Sequence, residues 1–587
     1  MLELCEIAKV ERREVKVFVG RTLVALDTDH IKQYVFATDR LKDIRGASSI
    51  LDRLNRRVME DEANRLFHDK AKVVYTNGGS GLFLIEGDEQ AAEAFGRSVQ
   101  KEYSRETEGG ASISFAVQKL PDDINPWTDE KIRDYLKLLN HRLIQNKETP
   151  PHITTLATHP LMRPCDSCGI QYAEDKDEID DADPADRDKR HCSVCLKKRK
   201  EDNRVKRGIK HLIEENIEPD SYIWREIIRQ LRLLNYNLPD DTKRPSDFNE
   251  LRGHSGGKDY LALIYADGNG MGKTISACSD LNAREQVAKR IDEAVYQALS
   301  AAIAKHMPVV PAGGERKSPM FPFDILLIGG DDIVIVTPAA YAMDVALTIA
   351  KQFYDRTKYV EDGTEMHHTL SVGIVLAPIK YPFGLLQDLA ESTLKFAKQE
   401  GARQPRESAY GATRINFLVV AGSTSHDFKT VYAMLHNKHV RVSGQKDKAA
   451  FYATLRPYTV EDLEALLDAI RAGKQRSLGR TKLHQVREAV LKMNLTTSVG
   501  DFLAVLRNWR QKQREFVTGS VYTLAGRYQQ QYSSLDNPGS LFPRVTYPWF
   551  VDKSGAYLTP LLDFVELYDF VAQEGGNGGE ESRPYSD

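Results

Sequence analysis

Two stretches, YLALIYAD (260–267) and DILLIGGDDIVIV (324–336), decide how this chain is read. The first is an apolar run ending in an acid, which predicts a buried strand with Asp267 at its end. The second is a pair of apolar runs around Gly329-Gly330-Asp331-Asp332, which predicts a hairpin whose glycines permit a tight turn and leave room for a nucleotide beside the backbone. A long helix through about His306 joins the two, and a helix, the strand TLSVGIVLAP and the helix LLQDLAESTLKFAK follow. In such a β-α-β-β-α-β order the first strand pairs beside the hairpin, so Asp267, Asp331 and Asp332 are expected to converge. Carboxylates from separate segments on one rigid platform are what two-metal phosphoryl transfer needs. A Gly-Gly-Asp-Asp turn alone reads as an ordinary surface turn; beside an Asp-ending strand in this topology it reads as catalytic.

The segment after the first strand, Asp267-Gly268-Asn269-Gly270-Met271-Gly272-Lys273-Thr274, resembles a Walker A loop, but that motif needs Gly where this chain has Asp267. The better reading is a Gly-rich strand-to-helix turn whose backbone N–H groups and helix N-terminus receive a triphosphate, with its metals on Asp267. Lys398, at the end of LAESTLKFAK, is either a further phosphate contact or a solvated helix-terminal lysine.

The same order occurs earlier in the chain. TLVALDTD (22–29) reads as a strand ending in acids, 39–67 as a long amphipathic helix, AKVVYTN and LFLIE as strands flanking Gly78-Gly79, and ASISFAV as a strand after another helix. The reading is an internal duplication in which Asp27 corresponds to Asp267 and Gly78-Gly79 to Gly329-Gly330. The two spacings, 51 and 62 positions, agree loosely.

Between the repeats lie Cys165-Asp-Ser-Cys168, the acidic run EDKDEIDDADPAD, Cys192-Ser-Val-Cys195 and the basic run KKRKEDNRVKR. Two CxxC pairs separated by 23 residues match a four-cysteine zinc ribbon, each pair forming a tight knuckle. A redox pair would not explain two copies, and His191 is a poor alternative because Cys192 already fills the position. The acidic run reads as a solvated loop, and 197–207 as an exposed helix face or an RNA contact. The expected organisation is a first palm domain over 1–120, a helical linker with the zinc site over 121–257, a second palm over 258–424, a helical domain over 425–573 and a disordered tail over 574–587.

Composition excludes several classes. With 587 residues, 41% of them hydrophobic, the chain can bury several cores and is not mainly disordered. No run approaches the roughly 20 apolar residues of a membrane helix, and six cysteines are too few for a disulfide scaffold. The expectation is a soluble, cytoplasmic protein with no membrane partner. A balance of 81 Lys+Arg against 84 Asp+Glu argues against tight nucleic-acid binding by the chain alone.

ALDTDHIKQYVFATDRLKDIRGASSILDRLN (25–55), YTNGGSGLFLIE (75–86), the CxxC…CxxC insert, YADGNGMGK (265–273) and IGGDDIVIV (328–336), in that order, resemble the large palm-domain subunit of type III CRISPR-Cas effector complexes, Cmr or Csm type. The resemblance covers about residues 20–420. It implies an α+β chain with two ferredoxin-like palm domains of the nucleotidyl cyclase (GGDEF-like) kind, a zinc-ribbon insert and a helical C-terminal domain. It further implies two ATP molecules between the palms, conversion of ATP to cyclic oligoadenylates on capture of target RNA, Mg²⁺ or Mn²⁺ on Asp267, Asp331 and Asp332, and Zn²⁺ on the cysteines. Implied partners are guide RNA, target RNA, a backbone-like subunit and small helical subunits.

By position, Lys398 is similar to the triphosphate-contacting lysine of related cyclases, and Gly78-Gly79, lacking paired acids, matches the palm that only holds the acceptor nucleotide. Asn269 stands where the family usually carries Asp. An HD nuclease domain has no room before residue 22, and His68-Asp69 and His426-Asp427 read as surface pairs, so no DNA cleavage is expected. The alternatives are a non-catalytic scaffold of a guide-RNA ribonucleoprotein, or a stand-alone palm-type cyclase or polymerase.

Overall fold

The computed structural model describes residues 20–148, 161–174, 189–215, 221–254, 259–313, 316–361, 363–403, 409–420, 427–441, 448–491, 550–551 and 556–572, with isolated positions between 504 and 511. Most of the acidic run and the tail over 574–587 lie outside these residues.

The first repeat runs β1 (Arg21–Asp29), α1 (Ile31–Val35), α2 (Leu41–Arg53), a π-helical turn, α3 (Met59–Phe67), β2 (Ala71–Asn77), β3 (Ser80–Glu86), α4 (Glu89–Thr107) and β4 (Ser112–Leu120), followed by α5 (Ile132–Glu148). Its antiparallel sheet has the ferredoxin-like order β2-β3-β1-β4. Alternation along β1 assigns its faces: Val24 and Leu26 pack with Ile44 of α2 and Phe95 of α4, whereas Leu23 packs with Leu136 and Leu139 of α5.

Beyond α6 (Ser193–Glu215) and α7 (Tyr222–Leu233), the second repeat comprises β5 (Tyr260–Gly268), α8 (Met271–Ala277), α9 (Leu281–His306), β6 (Asp324–Gly329), β7 (Asp332–Pro338), α10 (Ala342–Arg356), a small hairpin of β8 (Tyr359–Glu361) and β9 (Thr364–Met366), β10 (Leu370–Pro378), α11 (Phe383–Arg403) and β11 (Ile415–Val419). Its order is β11-β10-β5-β7-β6; without β11, which adds parallel to β10, it is the order of the first sheet. Ala262, Ile264 and Ala266 face α9 and α10, while Leu263 and Tyr265 face Leu386 and Leu389 of α11. The expected duplication is thus a duplication of fold, with α11 standing to the second sheet as α5 stands to the first.

Strand register corrects the expected correspondence of the turns by one residue. Asn77 pairs with Ser80 and Gly329 with Asp332. Gly78 therefore matches Gly330, Gly79 matches Asp331 and Ser80 matches Asp332. Turn geometry explains the offset: Gly78 (φ 61°) and Gly330 (φ 65°) share the left-handed first position, and the second position is left-handed only in the first repeat, at Gly79 (φ 84°).

The sheets face one another about a local two-fold, α2 against β6 and α9 against β2, and the two turns meet at its centre. A Cβ on Gly78 would lie 3.3 Å from the Gly330 Cα, and one on Gly330 would lie 3.4 Å from the Gly78 Cα. Helix α6 crosses α2 so closely that any side chain at Gly46 would collide with the Lys198 carbonyl.

A buried charge network ties these layers together. The Arg45 guanidinium on α2 donates to Asp202 on α6 at 2.9 Å and to Asp324, the first residue of β6, at 2.8 Å, and Arg244 donates to Asp324 at 2.6 Å.

The C-terminal segment contains helices, α12 (Phe428–Met434), α13 (Val460–Gln475) and α14 (Arg480–Leu491), and also four short strands, β12 (His436–Arg441), β13 (Lys448–Tyr452), β14 (Phe550–Val551) and β15 (Tyr557–Leu558), which form a sheet in the order β12-β13-β15-β14 that helical periodicity did not reveal. Among the described residues no helix is long and apolar enough to cross a membrane.

Removing one member of a buried ion network leaves the others charged and unpaired, which costs about 3–5 kcal/mol. Arg45→Met is expected to lower the unfolding free energy by about that much in urea titration, whereas Arg97→Ala, which breaks only a surface pair with Glu93, should change it by less than about 0.5 kcal/mol.

Candidate active site and candidate zinc centre

The second sheet brings its three acids to one edge, as expected. Asp267 ends the central strand, Asp331 is the second residue of the adjacent turn, and Asp332 opens β7. Gly268 is required here: a Cβ would sit 2.6 Å from the Asp331 Oδ2. Burial, and then the neighbouring Asp267 carboxylate, push Asp331 up to about 7. Burial, then Asp267 and Asp331, push Asp332 well above the usual carboxylate range, and its Oδ1 is buried without a hydrogen-bond partner. Crowded, desolvated carboxylates with an unsatisfied oxygen are a donor set made for a hard dication, so the residues fit Mg²⁺ or Mn²⁺.

Lys398, on α11, places its Nζ 2.5 Å from the Asp267 Oδ2. The expected phosphate contact is therefore, without nucleotide, a counter-ion to the acids. Asn269 has a different occupation. Its backbone N–H donates to the Thr369 carbonyl at 2.8 Å, its Nδ2 donates to Thr369 Oγ1 at 3.0 Å, and its Oδ1 accepts from Ser371 at 2.9 Å. The amide pins the end of β5 to the start of β10, and its backbone N–H is not free for the triphosphate. Gly270 and Gly272 leave the turn open, since a Cβ at either would meet no atom within 4 Å, and Lys273 is exposed.

A cavity of about 130 Å³ lies between the repeats, with Asn77, Gly78 and Gly79 of the first, Gly329 and Asp332 of the second, and Asp52, Asn55 and Arg56 on the wall beyond. Lys32 enters it from α1, its Nζ 3.0 Å from Glu391 and 5.0 Å from the Tyr265 ring centre, and its charge opposes the upward shift of Asp332. Sequence reading missed Lys32, because nothing local marks a lysine of one repeat as belonging to the acids of the other.

In the first repeat the hairpin positions of Asp331 and Asp332 are held by Gly79 and Ser80. Asp27 and Asp29 remain at the end of β1. Lys147 Nζ lies 2.6 Å from Asp27, and Asp29 accepts from Ser112 at 2.9 Å and Ser114 at 3.1 Å. Burial is the main reason that Asp27 lies above the usual range. His68 and Asp69 sit in an exposed turn, Asp427 caps α12 through the Thr430 N–H, and His426 lies outside the described residues.

The four cysteines converge as their spacing predicts. All four Sγ atoms lie within 4.8 Å of one another, with Cys168 and Cys192 at 3.8 Å; Cys165, Cys192 and Cys195 are buried, and His191 is not one of the four. Hydrogen bonds from Cys168, then Cys192 and Cys195, hold the Cys165 thiol far below its ordinary range, and contacts with Cys165 and Cys168 push Cys195 far above its own. Four soft donors this close together, three of them buried, fit structural Zn²⁺.

Three outcomes are expected. Because the folded metal-free chain keeps the Asp331 proton to about pH 7 while an unfolded chain releases it near 3.8, stability should fall as pH rises through that window. Mn²⁺ affinity should climb at least about tenfold per unit up to about pH 7; a flat profile from pH 5 to 8 would show that Asp331 is not protonated at the site. Elemental analysis should find one zinc per chain, near zero in Cys192→Ser, with a lower thermal midpoint.

Residues 260–405 match the family model for the Cas10/Cmr2 second palm domain. No curated protein matches the chain. Among solved structures, a Csm1–Csm4 cassette in complex with pppApApA is 14% identical at a TM-score of 0.50, the match covering 84% of this chain and 65% of that one. The crystal structure of Csm1 in T. onnurineus is 15% identical at a TM-score of 0.49, covering 94% and 70%. A Csm1–Csm4 cassette in complex with cA4 is 15% identical at 0.47, covering 81% and 63%. At these identities the likeness is one of fold, and the chain spans 63–66% of the length of the first four chains matched. Motif order, family match and sheet topology lead to one attribution: residues 260–405 are a second palm domain of the Cas10/Cmr2 kind, and residues 21–120 repeat its sheet order.

Proposed function

We propose that this chain is a type III CRISPR effector subunit whose second palm converts ATP to cyclic oligoadenylates by nucleotidyl transfer once target RNA is captured. The observation that carries the reading is the convergence of Asp267, Asp331, Asp332 and Lys398 at one sheet edge, where Asp332 lines a cavity shared with the first palm, whose hairpin lacks acids. The adenylate class of ligand comes from the pppApApA-bound cassette that the chain resembles in fold.

In the proposed reaction a ribose hydroxyl of one adenylate attacks the α-phosphate of ATP in the second palm; the new O–P bond forms as the bond to pyrophosphate breaks. Mg²⁺ or Mn²⁺ on Asp267, Asp331 and Asp332 would lower the pKa of the attacking hydroxyl and absorb charge on the leaving group. Lys398, released from Asp267, neutralises the triphosphate, and Lys32 adds a cation from the opposite palm. Gly329 and Gly330 keep side chains away from the nucleotide's path. Repeated transfer followed by closure on the first adenylate gives a ring. Guide and target RNA, a backbone-like subunit and small helical subunits are the proposed partners.

Labelled ATP and Mg²⁺, incubated with protein alone and with protein assembled on guide and target RNA, test this reading. Oligoadenylate product is expected, falling at least about a hundredfold in Asp331→Ala/Asp332→Ala and about tenfold or more in Lys398→Ala. No product from folded, zinc-loaded wild type in either condition would favour a scaffold.

A further inference from the structure

The local two-fold makes a prediction about the first palm that its lack of hairpin acids conceals. Asp267 occupies the end of the central strand of the second sheet, on the face covered by α11, and Lys398 comes from that helix to within 2.5 Å of it. Asp27 occupies the end of the central strand of the first sheet, on the face covered by α5, and Lys147 comes from that helix to within 2.6 Å. In each repeat the helix follows the fourth strand of the fold. Both pairs are about one-third exposed, with Lys147 and Asp27 at 31% and 37% and Lys398 and Asp267 at 30% and 27%, so each ammonium can be reached by a ligand.

The hairpins differ and the lysines do not. Without the two acids the charge that gathers metals is missing, yet the cation that would meet a phosphate stands at the equivalent place, 3.8 Å from the Asp29 Oδ1, while the other Asp29 oxygen accepts from Ser112 and Ser114. An ammonium needed only to neutralise Asp27 could come from any element; this one comes from the helix, face and strand position that the repeat assigns to the phosphate contact.

We infer that Lys147 is the polyphosphate-binding residue for a second nucleoside triphosphate, held by the first palm, and that Asp27 is its resting partner. This deepens the two-nucleotide reading proposed above and rests on it. Lys147 takes no part in the transfer; it anchors the nucleotide so that its ribose faces the second palm across the Gly78–Gly330 contact.

The test is nucleotide stoichiometry on the full chain, with a non-hydrolysable ATP analogue and Mg²⁺ in a calorimetric titration. Wild type is expected to bind two equivalents. Lys147→Met should weaken one site at least tenfold and leave the other unchanged, the intact site serving as the control for folding, and Lys147→Arg should restore most of the loss. Lys398→Met should weaken the other site, and the double variant both. Two sites of unchanged affinity in Lys147→Met would overturn the inference while sparing the proposed function; a wild-type chain that binds no analogue would overturn both.

Discussion

Two glycine turns meeting through bare backbone set the geometry of everything else in this molecule. With Gly78 and Gly330 so close that a β-carbon on either would press on the other's Cα, the two sheets approach as near as main chains allow. That closeness lets a lysine of the first palm stand beside acids of the second, and it leaves a cavity of about 130 Å³ between them. Turns alone cannot hold two domains in register, since they bury little surface. The clamp is the Arg45–Asp202–Asp324 network, which joins α2, helix α6 of the four-cysteine insert and the first residue of the very strand that ends in Gly329. Such a network is costly to desolvate and adds little net stability, but it tolerates one arrangement only, because each member is penalised if it is left unpaired.

Division of labour between the palms follows from electrostatics on a shared scaffold. In the second palm, Asp331 and Asp332 beside Asp267 create more negative charge than a half-buried edge can hold, and the site answers by raising pKa values and by drawing in Lys398 and Lys32. In the first palm, Gly79 and Ser80 stand at those positions, the charge falls to that of Asp27 and Asp29, and one lysine with two serines balances it. The first site thus carries less unbalanced negative charge than the second. Asn269, a neutral amide where the resemblance implies Asp, has a structural post between β5 and β10.

Much of this could be read from residues alone, for reasons of pattern. Apolar runs of strand length ending in acids, glycine pairs between such runs and two CxxC knuckles are local signals, and the repeat of their order gave the two palms and the order of their elements. What local pattern could not give was register, because Gly78-Gly79 and Gly329-Gly330 look alike in sequence and differ by one place in pairing. Nor could it give contacts between repeats. Lys32, Arg45 and Asp324 acquire their roles only when distant segments meet, and the small C-terminal sheet is built from strands as short as two residues. Lys147 was within reach: the duplication that paired Asp27 with Asp267 also pairs the helices that follow the fourth strands, and a lysine near the end of each was the available clue.

The central claim is that one metal centre serves two facing palms. It is tested most directly by an experimental structure of the protein with Mn²⁺ and a non-hydrolysable ATP analogue, with anomalous scattering locating the metal. The account predicts manganese bridged by Asp267, Asp331 and Asp332, with Lys398 moved from Asp267 to phosphate. Manganese bound to the first palm's strand end with none on the second, or nucleotide bound away from the cleft, would contradict it.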